Sequence, residues 1–485
     1  FALSFTASCH AAVDLPSLYQ AADGRDAKND IWQKALEDGD VALQKEALLL
    51  LGRIGGEPVI APLSPFLNHE NAELRLTAAF ALGISGAPMA ADALFARIAQ
   101  ESDVKVESAI WKALANLHAP RIQAHMVDAW DHEPEMHPAL AQATAFLWAF
   151  HRDKLEAIDK GLVQRLLDAT PSENEAISVS AAGALARVRK EAGLFKSSAV
   201  FSAYQNARSD RARQLLIKLL GAVGDAQAEK LLNQILQSQK LGERMPSEAE
   251  RAEAAAALVT RSKDTKLAAL LELILKDPNW SVRAAAVQAM SPDQVAAVRS
   301  QLEKHEQDHP GDRASLEFIL RPIEFRDETK DSQQKVLPYT EVLRARDAHV
   351  VMQTSRGKIV LKMLPEAPYT AWNFLQLVNK GFYNGTKFHR VVPNFVAQGG
   401  DPTGRGDGGP GYSIREEWSL LPHDIGYVGM ATSGKDTGGS QFFFNTARNP
   451  HLDWHYTVFA KVVEGLDVMM ALQQGDSIET ARLVD

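Results

Sequence analysis

A spaced repeat constrains this chain more than any single residue does. "DVALQKEA" from Asp40, "NAELRLTA" from Asn71 and "DVKVESAI" from Asp103 stand 31 and 32 residues apart. Each opens on Asp or Asn and carries an aliphatic residue three positions later. Fainter copies begin at His137, Asn174, Asp210 and Ser247, and "NWSVRAAA" from Asn279 restores the pattern with Val282, Arg283 and Ala286. A polar residue followed by aliphatic and small residues at helical spacing predicts a capped helix with one buried face. Gly52, Gly83 and Gly221 are expected to close three of the units. A period of 31 to 37 residues holds two antiparallel helices and their turns. Such a pair cannot bury its apolar stripe alone and must stack on its neighbours, about eight of them in all. Residues 27–309 are therefore expected to be an all-α stack whose extended concave face holds a partner.

Composition narrows the function. At 485 residues the chain exceeds one ordinary core. Its net charge of −9 makes it a poor partner for phosphates, so nucleic acid is not expected as its main ligand. A single cysteine, Cys9, excludes an internal disulfide, a Cys-rich zinc site and a CxxC redox pair. The opening "FALSFTASCHA" is apolar and runs into small residues before Cys9. "TASC" resembles a bacterial lipoprotein signal box, although Thr6 stands where Leu is usual. On that reading segment 1–26 carries a signal remnant, Cys9 is a lipid anchor and the chain belongs to the bacterial periplasm or cell envelope. The plainer alternative is a frayed terminus with a chance cysteine in a cytoplasmic protein. No later stretch reaches the ~20 apolar residues that span a bilayer.

The repeating unit resembles the HEAT repeat, whose second helix often begins with Asp, then Val and Arg, then Ala, as Asn279 to Ala286 does. The resemblance implies a helical-repeat solenoid that binds a protein partner. Residues 310–347 are charged, contain three prolines and break the pattern, which predicts a linker with a short structured insert. From 348 the chain changes character. "HVVMQTSRGKIVLKML" alternates on both sides of a turn, as a hairpin does. One helix is expected from Tyr369 to Lys380, stopping at Gly381, and another from Gly465 to Gln474. Short strands and long loops make up the rest, so 348–485 is expected to form an antiparallel β-barrel with two helices.

Several strings imitate other sites. "HEQDH" puts His305 and His309 a helical turn apart, but Pro310 cuts the segment, and a solvated helix end is the expectation. "GMATSGKD" from Gly429 mimics a phosphate loop, yet Asp436 occupies the position of the magnesium-binding hydroxyl. "GRGDGG" from Gly404 has the GxGxxG spacing with no helix after it. His451 and His455 are four apart, but Pro450, Trp454 and Tyr456 predict a loop there. No metal and no cofactor are expected.

The informative stretches are "FHRVVPNFVAQGGDPTGRGDGGPGY" from Phe388 and "GMATSGKDTGGSQFFFNTARNPHLDWHYTVFAKV" from Gly429. Together they resemble cyclophilin, the peptidyl-prolyl isomerase family, from about Ala348 to Asp485. "FLQLVNKGFYNGTKFHR" and "VVEGLDVM" fit as well. The activity so implied needs no nucleophile or metal. Rotation about an X–Pro bond faces a barrier of about 18–20 kcal/mol from amide resonance, and no bond is made or broken. A catalyst need only bind the twisted amide better than either planar isomer, with an apolar pocket and aimed donors. The resemblance makes Arg390 the central catalytic residue, donating to the prolyl carbonyl and toward the prolyl nitrogen as it pyramidalises. Gln398 holds Arg390 and the substrate backbone. Phe395, Val396, Phe443 and Leu452 form the proline pocket, with Val396 in place of the usual methionine. Gln441 lines the adjacent groove, the backbone of Ala431, Thr432 and Ser433 aligns the substrate, and Gly406 bounds a neighbouring pocket. His451 stands where many eukaryotic members have tryptophan, which implies weaker cyclosporin sensitivity. Tyr456 stands where they have histidine and keeps a hydroxyl donor. The expected partners are proline-containing protein or peptide clients. The competing expectation is a scaffold that binds proline segments with little turnover.

Overall fold

The structure, a computed structural model, describes residues 13–191, 193–241, 244–309, 312, 316, 319–320 and 339–484. Cys9 and residues 321–338 of the expected linker lie outside the described residues. By internal contact the chain forms two compact units, Phe1–Leu117 with Pro338–Thr340, and His118–Leu337 with Glu341–Asp485. The second unit thus holds the later repeats and the β-rich region together. Among the described residues no helix is long and apolar enough to cross a membrane.

Among the described residues helical structure begins at Leu15–Asp23, ahead of residue 27, because Asp14 accepts from the Ser17 amide and opens a helix there. In the first unit the repeats place three helices against one another in order, Val41–Ile54, Ala72–Ile84 and Val104–Asn116. In the second, His137–Phe150, Glu175–Arg187, Asp210–Val223, Glu248–Arg261 and Trp280–Gln288 do the same. Asp40, Asn71, Asp103, Asn174, Ser247 and Asn279 each accept a backbone N–H at their helix start. Such a cap stabilises a helix by about 1 kcal/mol. Asp210 is instead the first helical residue behind the cap Ser209, and the helix from His137 has no side-chain cap.

The glycines act differently from expectation. Gly55 and Gly224 follow the helices Val41–Ile54 and Asp210–Val223, while Gly52 and Gly221 lie inside the last turns. A Cβ at Gly52 would stand 2.7 Å from Ala81 Cα, and one at Gly221 would stand 2.8 Å from Ala257 Cβ. These two glycines set the approach of stacked helices rather than end them. His305 also departs from the solvated helix end expected of it. It is buried, its Nε2 lies 2.9 Å from Asp312 Oδ2, and its ring stacks on His309 at 4.0 Å. Arg283 bonds the same carboxylate, so the histidine and the arginine share Asp312.

The β-rich region is one antiparallel sheet of eight strands: β1 His349–Thr354, β2 Gly357–Met363, β3 Arg390–Val392, β4 Val396–Gly399, β5 Tyr427–Met430, β6 Phe442–Asn445, β7 Val458–Glu464 and β8 Ile478–Val484. The spatial order is β3-β4-β6-β5-β7-β2-β1-β8. Lys387, just before β3, bridges to Ser477 just before β8, and the Ile478 amide donates to Thr386, so the two edges meet as the expected barrel requires. β1 and β2 form the expected hairpin, with Thr354 opposite Gly357. The helices are Pro368–Asn379, ended by Gly381 at φ 66°, and Leu466–Met470. The second is shorter than the pattern predicts. Asp476 accepts from the Gln473 amide and pairs with Arg356, pulling the chain into a turn before β8.

Side-chain alternation divides the two faces of the sheet. In "FFF", Phe442 and Phe444 enter the main core with Phe374, Tyr383, Phe388 and Phe459, whereas Phe443 belongs to a separate cluster with Val396 and Leu452. That second cluster is where the expected site residues gather.

Candidate active site

Strand register aligns the site. Arg390 on β3 pairs with Gln398 on β4, Gln398 with Phe443 on β6, and Phe443 with Gly429 on β5. These four residues therefore form one row across the sheet, with the side chains of Arg390, Gln398 and Phe443 on the face away from the main core. Arg390 Nη1 donates to Gln398 Oε1 at 3.3 Å, Gln398 Nε2 to Gln441 Oε1 at 3.0 Å, and Gln441 Nε2 to the carbonyls of Gly406 and Gly408 at 3.0 and 2.9 Å. Each amide is oriented by the next, so this relay runs from the cation to the loop after β4. The guanidinium also lies over the Phe395 ring, 5.6 Å from its centroid. Arg390 keeps a solvent-exposed surface, yet the protein packed around its head desolvates it and lowers its pKa from the ordinary arginine value, with Tyr456 opposing.

Val396, Phe443 and Leu452 are 2%, 5% and 6% exposed, with Phe395, Ala431 and Tyr456 packed on them. His451 stacks on Phe395 at 5.6 Å, and Tyr456 meets Phe443 edge-on at 5.7 Å. Gly406, at φ 95°, is an exposed loop residue held by Asp401. Burial raises the Asp401 pKa, but bonds from Thr403 and from the Gly406 and Gly408 amides outweigh it and leave the carboxyl below its usual range. Ala431 donates to the Gln441 carbonyl at 2.9 Å, and the Ser433 amide donates to Thr437 Oγ1. Thr432 is half-buried between them. Every site residue expected from the sequence in this region thus lies on one face or on the loops that rim it.

Other residues were not expected from the sequence. His423 is fully buried behind the pocket, with its ring stacked on Phe443 at 5.5 Å. Asn445 Nδ2 donates to its Nδ1 at 3.2 Å, and Nε2 lies 3.2 Å from the Tyr456 carbonyl, which fits the tautomer protonated at Nε2. Asn449 donates to the Phe395 carbonyl at 2.9 Å and fixes that loop. Burial pushes Glu416 up to about 8 against the pull of Thr432, Lys435 and Trp418, so a carboxyl that is largely neutral at pH 7 flanks the groove. Two residues of the repeats also arrive here. Phe150 packs against the Val396, Phe443 and Leu452 cluster, and Arg187 Nη2 bonds His451 Nε2. No local signal in the sequence announces either.

The arrangement offers a buried apolar cluster, a guanidinium held beside it by an amide relay, and a rim of backbone donors and acceptors. Among the described residues no group of His, Cys, Asp or Glu is arranged to hold a metal. Residues 349–485 match the family described as cyclophilin type peptidyl-prolyl cis-trans isomerase/CLD, and HEAT repeats match at 29–115, 60–144 and 197–291. A peptidyl-prolyl cis-trans isomerase of Helicobacter pylori is 47% identical over 141 residues, covering 28% of this chain and 86% of the relative. Peptidyl-prolyl cis-trans isomerase B of Bacillus subtilis is 49% identical over 130 residues, 26% of this chain and 91% of the relative. An isomerase of Synechococcus elongatus is 44% identical over 137 residues, 28% and 94% of the two chains. With near-complete relatives matched at this identity, and the site row assembled as above, the chain belongs to the cyclophilin-type peptidyl-prolyl cis-trans isomerase family, its family domain following a region of HEAT repeats.

Proposed function

We propose that the barrel accelerates rotation about X–Pro bonds in protein clients, and that the helical repeats bind the client or a partner. The observation that carries the first part is the row in which Arg390, fixed through Gln398 and Gln441, stands beside the apolar cluster of Val396, Phe443 and Leu452. A prolyl ring in that cluster would bring its amide under the guanidinium. Arg390 offers five N–H donors, of which Gln398 engages one. As the C–N bond twists, the nitrogen loses resonance and becomes a better acceptor, so a donor held there binds the twisted amide more strongly than the planar one. Phe395 shields that charge from water, while Gly406, Gln441 and the backbone at Ala431, Thr432 and Ser433 line the path of an extended peptide. In support of the second part, the repeats carry a cavity of about 810 Å³ lined by Arg189, Lys190, Lys218, Glu253 and Arg261 among others.

The test is cis-to-trans relaxation of a short X–Pro peptide at low temperature. Arg390→Ala should lower kcat/KM by roughly 10²-fold, the scale for losing one aimed donor. An undiminished rate in a folded Arg390→Ala protein would move the molecule to the class of proline-binding scaffolds.

A further inference from the structure

The apolar cluster of Val396, Phe443 and Leu452 is contacted by a residue from the helical repeats. Phe150, the last residue of the helix His137–Phe150, packs against the cluster of Val396, Phe443 and Leu452, and among the described residues is its one member contributed from outside the barrel. Its ring stacks on His455 with centroids 3.7 Å apart and approaches Tyr456 at 6.3 Å. Phe146, one helical turn earlier, braces it at 5.0 Å and touches His455 as well. The neighbouring helix ends at Arg187, whose guanidinium bonds His451, and His451 stacks on Phe395. Two adjacent helix ends of one compact unit thus engage both walls of the pocket, one by an aromatic ring and one by a cation.

We propose that Phe150 and Arg187 form an intramolecular cap on the prolyl subsite, so that a client proline must displace the repeats' own aromatic residue to reach Arg390. A phenylalanine ring and a prolyl ring want the same dry surface. An attached competitor works at a high effective concentration, in the millimolar range for short tethers, so even a weak ring–pocket contact competes with dilute client. The HEAT region then sets the activity of the barrel as well as carrying partners, because whatever draws the end of His137–Phe150 away opens the pocket. Arg390 itself stays exposed, so the cap excludes the ring of the substrate while leaving the catalytic donor in place.

This inference rests on the isomerase reading, and the two fail differently. In the full-length protein, Phe150→Ala should raise kcat/KM for a short X–Pro peptide roughly tenfold, mainly through a lower KM, the scale expected for removing one buried aromatic competitor. Phe150→Leu should fall between, and Arg187→Ala, which leaves the apolar contact intact, should give a few-fold rise. A folded Phe150→Ala protein no faster than the parent overturns the cap. If Phe150→Ala does not fold, Arg187→Ala decides, and an unchanged KM there overturns it. Should Phe150→Ala be faster but equally fast with Arg390→Ala added, the assignment of Arg390 fails and the cap stands.

Discussion

Replacing Gly429 by alanine should disable the proposed proline pocket without altering any side chain that forms it. Gly429 lies directly across from Phe443 in the β5–β6 register. A Cβ there would stand 2.3 Å from Phe443 Cζ, 2.7 Å from Cε2 and 2.9 Å from His423 Cε1. Carbon atoms settle at about 3.5–4.0 Å, so the ring would have to retreat by more than about 1 Å. It has little room, being stacked on His423 at 5.5 Å and wedged by Tyr456 at 5.7 Å, with Val396 and Leu452 in the same cluster. Gly429 is not among the positive-φ glycines, so the cost is steric rather than conformational. Overpacking of this kind costs about 1–3 kcal/mol. A shift of about 1 Å in a positioning group can cost around 10²-fold in rate. Calorimetry should therefore show a lower melting temperature for the unit containing the barrel, and peptide relaxation should show a kcat/KM reduced by roughly that factor. An unaltered melt together with full activity would refute the steric argument. A lowered melt with full activity would remove Phe443 from the substrate pocket.

Two further outcomes follow from the packing and the charges. Gly52→Ala should cost about 1–3 kcal/mol in the first compact unit, because the added methyl meets the backbone of Ala81; an unchanged melt would mean that the stacked helices can slide apart freely. Stability should also fall as acid is added from about pH 6.5 toward 4. Burial, then His118 and Lys154 against the opposing Asp153, hold His151 down to about 4, and burial, then His151 and His423, do the same for His455. Both folded-state values lie below the ordinary histidine value, so the unfolded chain takes up protons first, and the stability present above about 6.5 is lost as pH drops through that window. The melting temperature of His455→Gln should fall less over this range than that of the parent, and identical slopes would exclude His455 as a contributor.

Much of the fold was readable because its signals are local. Asp40, Asn71, Asp103 and Asn279 cap their helices where the repeat predicts, since an N-cap bond closes within three residues. The row of Arg390, Gln398 and Phe443 was readable through resemblance, and strand register explains why residues so spaced meet. Gly52 and Gly221 were misjudged as helix ends because a sequence shows that a small residue is present, not what stands 2.7 or 2.8 Å from its missing Cβ. His423 and Asn449 carried no signal, since their work is to hold Phe443 and the Phe395 loop from behind.

By itself the sequence determined the two kinds of architecture and the family of the second, and it singled out Arg390 as the cation of the proposed chemistry, because periodicity, caps and contiguous motifs are properties of short stretches of chain. Only the tertiary structure decided what packs against the apolar cluster from outside the barrel. Arg187 and His451 are separated by 264 positions, and Phe150 is an ordinary apolar helix residue until the barrel is placed against it. Contacts between helix ends and loops depend on how whole elements pack, and no local pattern of residues encodes that.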